Sequence, residues 1–166
     1  MSSWNTRRAT IDDVATLVDC WVELVQSQME YGTQLLAEPN RSTAERWTTE
    51  LILREQIIVA EVEATIAGFV SFEPQEERFQ RAIQSGIIHN LYVRESFRNR
   101  GVGSDLLAEA ERALLDCGVD RVQLEILTDN AEAEAFYRSR AYEPHRLVFA
   151  KEATEIDTHN NPDEES

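Results

Sequence analysis

The 166-residue sequence predicts a mixed α/β fold, α+β in type. A central, mostly antiparallel sheet is flanked by helices in the order β-α-α-β-β-β-α-β-α-β(β). Three patterns carry that expectation. Apolar residues recur every three or four positions from Val14 to Val25 and from Leu106 to Cys117, the spacing of amphipathic helices. Three β-rich runs, 56–62, 65–73 and 87–93, succeed one another between those helices. The last run leads into a basic, glycine-containing turn, Arg98-Asn99-Arg100-Gly101-Val102-Gly103-Ser104, which opens the second helical pattern. The length suits one domain with a proper core, placed at 1–151. Residues 152–166 are acidic and almost free of large apolar groups, and are expected to form a disordered tail.

In chain order, Thr6–Ala9 is a short strand, with Thr10 or Asp12 able to cap the first helix. Val14, Leu17, Val18, Trp21, Leu24, Val25 and Met29 define that helix, which frays near Gly32. After the loop Glu38-Pro39-Asn40, Ser42-Thr43-Ala44-Glu45 is a capping-box sequence; Trp47 and Leu51 share one face of the helix it opens. The first two β-rich runs form a hairpin around Glu63-Ala64, and Gly68 marks a bulge or a close approach. A polar connection over 74–85 leads to the central strand Ile87–Val93. Gly118 ends the long helix as its C′ residue. Val122, Leu124 and Ile126 alternate with Gln123 and Glu125, a strand with one polar face. Asn130 caps a helix that runs to about Ser139, and Tyr142–Lys151 is expected as one or two short strands broken by Pro144.

Apolar content of 42% is ordinary for a globular chain. The sequence shows no signal-peptide pattern and no apolar run near the ~18 residues of a membrane span, so a cytoplasmic location is expected. Cys20 and Cys117 lie among apolar residues and are expected to be reduced and buried. No His/Cys cluster has ligand spacing, so no metal is expected. The net charge is −15, with acidic residues dispersed along the chain and a single lysine, Lys151. Dispersed negative charge disfavours nucleic acid and anionic membranes alike. It also implies self-repulsion that salt would screen, which points to the salt-rich cytoplasm of a halophilic prokaryote. An acidic enzyme encoded by a GC-rich genome would have the same composition.

The turn carries the chemistry. The first turn of a helix presents backbone N–H groups without internal partners, at the positive end of the helix dipole. Glycines let that backbone approach an anion, and Arg98 and Arg100 add forked donors. Together they make a pyrophosphate cradle. A Walker loop would need a lysine after the second glycine, and Lys151 is far away. A dinucleotide fingerprint would need glycine where Leu106 stands.

Arg98-x-x-Gly101-x-Gly103 resembles the turn of the GNAT superfamily of N-acetyltransferases. A second cluster strengthens the resemblance. Asn130, Ala133, Phe136, Tyr137 and Tyr142 are similar to that family's downstream motif, N-x-x-A-x-x-[LF]-Y followed a few residues later by a glycine and an aromatic. One departure is Ala141, where the family usually has glycine. The resemblance implies the GNAT fold over about residues 5–151, with the strands at 87–93 and 122–127 splayed into a V that admits the pantetheine arm. It implies acetyl-CoA as co-substrate and acetyl transfer to a primary amine by direct attack in a ternary complex. Arg98, Asn99, Arg100, Gly101, Val102, Gly103 and Ser104 would then hold the pyrophosphate. Leu91, Tyr92 and Val93 would meet the thioester carbonyl, provided a bulge turns an amide inward. Asn130, Ala133 and Tyr137 would line the arm, with the Tyr137 phenol donating to the leaving sulfur.

For the general base, His89 on the central strand and Glu125 on its neighbour are the candidates. His89 shares strand parity with Ile87 and Leu91, so it could equally be a packed or surface histidine. Tyr92 and Glu23 are candidates for the acceptor pocket. The acceptor would be a small-molecule or peptide amine, and a homodimer is common in the family. Transfer of another acyl group, or a CoA-binding regulatory domain without turnover, fits the same motifs.

Overall fold

Burial on both faces explains the middle of the sheet. A computed structural model of the chain describes residues 3–157. The strands are β1 (Asn5–Arg8), β2 (Ile57–Val62), β3 (Thr65–Pro74), β4 (Ser85–Val93) and β5 (Arg121–Gln123), ordered β1-β2-β3-β4-β5 in one sheet. The first four pair antiparallel, and β5 joins β4 in parallel. Residues 57–60 and 66–72 are buried without a break, which is why these strands lack the alternation of a half-exposed sheet.

Helices α1 (Val14–Ser27) and α2 (Arg41–Leu53) cover one face. Leu17, Leu24 and Leu51 pack there with Val59, Phe69 and Tyr92. Helix α3 (Val102–Asp116) covers the other face, where Gly68 and Gly86 lie against Leu106 and Leu114. The chain divides after Asn130 into two compact units, and the smaller holds α4 (Ala131–Arg138).

Several elements differ from expectation. Helix α2 continues directly from a 3₁₀ turn at Glu38–Asn40, so Ser42 lies inside the helix instead of capping it. The reciprocal cap forms earlier, where Thr10 N–H donates to Asp13 Oδ2 at 2.7 Å. Asp13 also receives Arg7 Nη1 and Nη2, at 2.8 and 3.0 Å. The hairpin turn Glu63-Ala64 has φ of 48° and 64°, the mirror-image turn that suits strand twist. Strand β5 stops at Gln123, so Leu124 and Ile126 are not in the ladder. The closing strands expected over Tyr142–Lys151 are not formed; 143–152 has no regular structure. A strand needs a paired neighbour, and among the described residues from 131 onward there is none. Cys20 is fully buried, but Cys117 stands exposed at the C-cap of α3. Of the expected acidic tail, 158–166 lies outside the described residues, and 152–157 contains one 3₁₀ turn, Ala153–Glu155.

Two bulges shape the sheet next to the candidate site. On β3, Ala60 pairs with Gly68 and Glu61 with Ile66, leaving Ala67 as the extra residue. On β4, Ser71 pairs with Asn90 and Phe72 with Ile88, leaving His89 as the extra residue.

Candidate active site

The basic turn is built as its sequence requires. A 3₁₀ turn at Glu95–Phe97 leads into it, Asn99 has φ of 61°, and Gly101, the N-cap of α3, has φ of 94°. Glycine is the residue that adopts this left-handed conformation without steric cost. Val102, 1% exposed, anchors the helix start. The first helical hydrogen bond runs from Asp105 N–H to Gly101 O, 3.2 Å, and the amides ahead of it have the outward direction of a helix N-terminus.

The two arginines are not equivalent. Arg98 donates its Nε to Val93 O at 2.8 Å and lies 5.5 Å from the Tyr92 ring centre, so it ties the turn to the end of β4. Arg100 lies 5.8 Å from the Phe97 ring centre. Trp4, which sequence reasoning does not single out, donates Nε1 to Asp105 Oδ2 at 2.8 Å. Its ring also faces Gly101, where a Cβ would meet it at 3.7 Å.

Beside the turn the sheet opens. The β4–β5 ladder has three pairs and ends at Ile87–Gln123. From Ile88 to Val93, no described strand lies along the edge of β4 that faces away from β3. On the other side Leu91, Tyr92 and Val93 pair with Val70, Phe69 and Gly68. The bulge expected to act on Leu91–Val93 therefore falls just before them, at His89.

That bulge sets which side chains share the face under α1 and α2. His89 Nε2 lies 2.8 Å from Glu73 Oε1, and Asn90 Nδ2 lies 3.3 Å from Ser71 Oγ. Ser71 and Glu73 are two apart on β3 and so point to one side. His89 and Asn90, although consecutive, therefore point to that side too. Trp47 of α2 meets the His89 ring edge-on at 5.5 Å. Further along β4, Tyr92 Oη donates to Glu23 Oε2 of α1 at 3.2 Å, and Arg94 binds both oxygens of the same carboxylate. Burial, aided by the Glu23 charge, raises the Tyr92 phenol above its ordinary pKa. Burial pushes the Cys20 thiol up to about 11, so it is neutral and a poor nucleophile.

Glu125 is placed differently from expectation. It lies beyond the end of β5 and is exposed, not on the polar face of a strand. The ladder stops too early to hold it.

In the smaller unit, α4 begins directly after Asn130 and carries Ala133 and Tyr137 one turn apart. Tyr137 is flanked edge-on by Phe136 and Tyr142, with ring centres at 5.1 and 5.6 Å. Burial pushes its phenol up to about 12, so it holds its proton at neutral pH. The helix ends in a Schellman turn: Tyr142 N–H donates to Tyr137 O and Ala141 N–H to Arg138 O. Ala141 sits at its left-handed position, with φ of 66°.

The model of the Acetyltransferase (GNAT) family matches residues 18–142. This chain belongs to that family. An N-acetyltransferase from Archaeoglobus fulgidus, itself uncharacterised, is 26% identical over 136 residues, 81% of this chain and 89% of that one. A GCN5-related N-acetyltransferase from Ralstonia eutropha JMP134 superposes with a TM-score of 0.74 at 19% identity, covering 90% of this chain and 99% of that one. The aminoglycoside N-acetyltransferase AAC(6′)-Iy, solved in complex with CoA, gives a TM-score of 0.67 at 16% identity over 90% and 95% of the two chains. At these identities the solved structures share the fold.

In this acetyltransferase the open β4 edge runs into the glycine turn at the start of α3. Among the described residues no group of three or more His, Cys, Asp and Glu side chains could hold a metal ion. No described helix is long and apolar enough to cross a membrane. Sequence reasoning missed Glu73 and Arg94. Glu73 is opposite Ile87 in the ladder, but the ten-residue connection 75–84 hides that register from the sequence.

Proposed function

We propose that this acetyltransferase uses acetyl-CoA to acetylate a primary amine, by direct attack within a ternary complex. The observation that carries the reading is the opening of the sheet between β4 and β5 beside the N-terminus of α3. When bound, acetyl-CoA supplies an activated acetyl thioester. The amides at the start of α3, with Arg98, Asn99, Arg100 and Ser104 around Gly101, Val102 and Gly103, hold the pyrophosphate. The free edge of β4 at Leu91–Val93 offers backbone groups to the pantetheine arm and the thioester carbonyl. The family resemblance assigns Asn130 and Ala133 to the arm. By the same resemblance the Tyr137 phenol, protonated at neutral pH, gives its proton to the departing sulfur and regains one from water. His89 takes the proton that the amine loses.

Direct attack is supported by the thiols. Cys20 is buried and neutral, and Cys117 lies at the far end of the 15-residue α3, about 22 Å from the turn. Neither is placed to carry an acetyl group. The dispersed negative charge supports a protein at home in a salt-rich cytoplasm.

Calorimetric titration with acetyl-CoA from low to molar KCl tests both points. Saturable binding that persists or strengthens at high salt is expected, with free thiol then released from acetyl-CoA when primary amines are added. Absence of binding at every salt concentration where the chain is folded would overturn the reading.

A further inference from the structure

We propose that Glu73 is a positioning residue for His89, holding the imidazole so that Nδ1 is the nitrogen that accepts the proton of the acceptor amine. This deepens the function proposed above and rests on it for the role of His89. The geometry has three parts. The bulge makes His89 the unpaired extra residue of β4, turned to the face of Ser71 and Glu73. Glu73 Oε1 lies 2.8 Å from His89 Nε2, at charge-assisted hydrogen-bond distance. Trp47 meets the ring edge-on at 5.5 Å on one side, and the residue is otherwise exposed.

A carboxylate can only accept, so Nε2 must carry a hydrogen in this pair. In the neutral ring that leaves the lone pair on Nδ1, which makes no hydrogen bond among the described residues. When Nδ1 takes a proton from an ammonium group, the amine nitrogen keeps its electron pair for attack. The ring becomes an imidazolium, and its charge faces the Glu73 carboxylate. The proton later passes from Nδ1 to water, which restores the neutral ring. Glu73 is itself steadied by Arg54 at the C-cap of α2, whose Nη1 lies 3.9 Å from Oε2. Among the described residues, Glu73 of β3 is thus the carboxylate bonded to His89, with an arginine beyond it. The arrangement is a carboxylate–imidazole pair assembled by a strand bulge, one oxygen on the ring and one toward the cation.

Two readouts test it. The first needs no cofactor and no acceptor: ¹H–¹⁵N spectra of the free protein, with His89 assigned by His89→Gln. A slowly exchanging His89 Nε2–H resonance is expected in the wild type and in Glu73→Gln, which keeps an accepting oxygen. It should vanish in Glu73→Ala. Its absence from the wild type, or its survival in Glu73→Ala, would overturn the pairing. The second is steady-state thiol release with acetyl-CoA and spermidine, L-lysine or kanamycin. For whichever amine is turned over, His89→Gln should lower kcat by about 10²-fold or more. Glu73→Ala should lower kcat by at least about 10-fold with KM for acetyl-CoA unchanged, and Glu73→Gln should recover part of that loss. Equal kcat in Glu73→Ala and wild type would remove Glu73 from the mechanism. A wild-type kcat in His89→Gln would refute the role of His89 itself, while the resonance would still report on the pair.

Discussion

Replacing Gly68 by alanine tests the closest approach in the sheet. A Cβ built at Gly68 would lie 2.5 Å from Tyr92 O, 3.1 Å from Val93 Cα and 3.3 Å from Leu106 Cδ1. Ordinary carbon–oxygen contacts between strands start near ~3.3 Å, so β3 and β4 must part by about 0.8 Å locally. The two nearest atoms are backbone and cannot turn away. Overpacking of this kind costs about 1–3 kcal/mol. For a chain of this size that lowers Tm by roughly 2–12 °C. Gly86→Ala is the matched control, because its Cβ would meet the side chain of Leu114, with Cδ2 at 2.7 Å. A leucine can change rotamer, so the loss should be smaller. The two variants should also part in function. Gly68→Ala shifts Tyr92 and Val93, at the edge proposed to receive the cofactor, and should weaken acetyl-CoA binding; Gly86→Ala should not. Melting curves recorded by circular dichroism, with calorimetry alongside, measure both. Equal stability of Gly68→Ala and wild type, or a larger loss in Gly86→Ala, would refute the distinction between backbone and side-chain obstruction.

The site and the core can be probed in the same way. Gly103→Glu puts bulk and negative charge in the first turn of α3 and should abolish acetyl-CoA binding in a calorimetric titration; unchanged affinity would dissociate the turn from the pyrophosphate. Tyr137→Phe should lower the rate of thiol release by about 10²-fold or more while leaving acetyl-CoA affinity within a few-fold, and an unaltered rate would exclude the phenol as proton donor. The Arg7 guanidinium holds the Asp13 carboxyl below its usual range, so its contribution to stability is complete above the unfolded value near ~3.9 and is lost as pH falls through the lowered native value. Asp13→Asn should therefore cost about 2 kcal/mol in urea unfolding at pH 7. The gap to wild type should begin to narrow only below about pH 4 and close as the pH passes below the lowered native value; a gap independent of pH would mean the charge is not what matters.

Much of the fold was legible because local pattern and global role agree. The helical spacing from Val14 to Val25 became α1, and the glycine turn at 101–103 became the start of α3. Gly68 was open between a bulge and a close approach, and it serves both, sitting next to the extra residue Ala67 and against Tyr92 O. Ladder ends were not legible. Val122, Leu124 and Ile126 alternate as a strand should, but only Arg121–Gln123 finds a partner, since β4 is met in parallel for three residues and then diverges. Glu125 lies past the end of that ladder for the same reason. Likewise Tyr142–Lys151 has strand composition, but among the described residues from 131 onward no strand is formed to pair with it. Composition is a property of a segment, whereas pairing is a property of two.

His89 and Ala141 show what kind of information local pattern omits. Strict alternation puts His89 with Ile87 and Leu91, opposite Asn90. One inserted residue in the ladder cancels that parity and places His89 and Asn90 side by side, within reach of Glu73 and Ser71. Nothing in the six residues around His89 specifies the insertion; it depends on which residues of β3 they face. Ala141 is the reverse case, where the sequence shows the departure and the backbone explains it. The C′ position of α4 needs φ near +66°, which costs alanine about 1–2 kcal/mol relative to glycine. The Schellman bonds from Ala141 and Tyr142 still form, so the turn's geometry is kept against that cost. The exception to the glycine pattern is thus a strained residue in an intact turn, four positions after the tyrosine proposed as proton donor. A departure from a motif leaves a role intact when the backbone shape that the motif encodes is still reached.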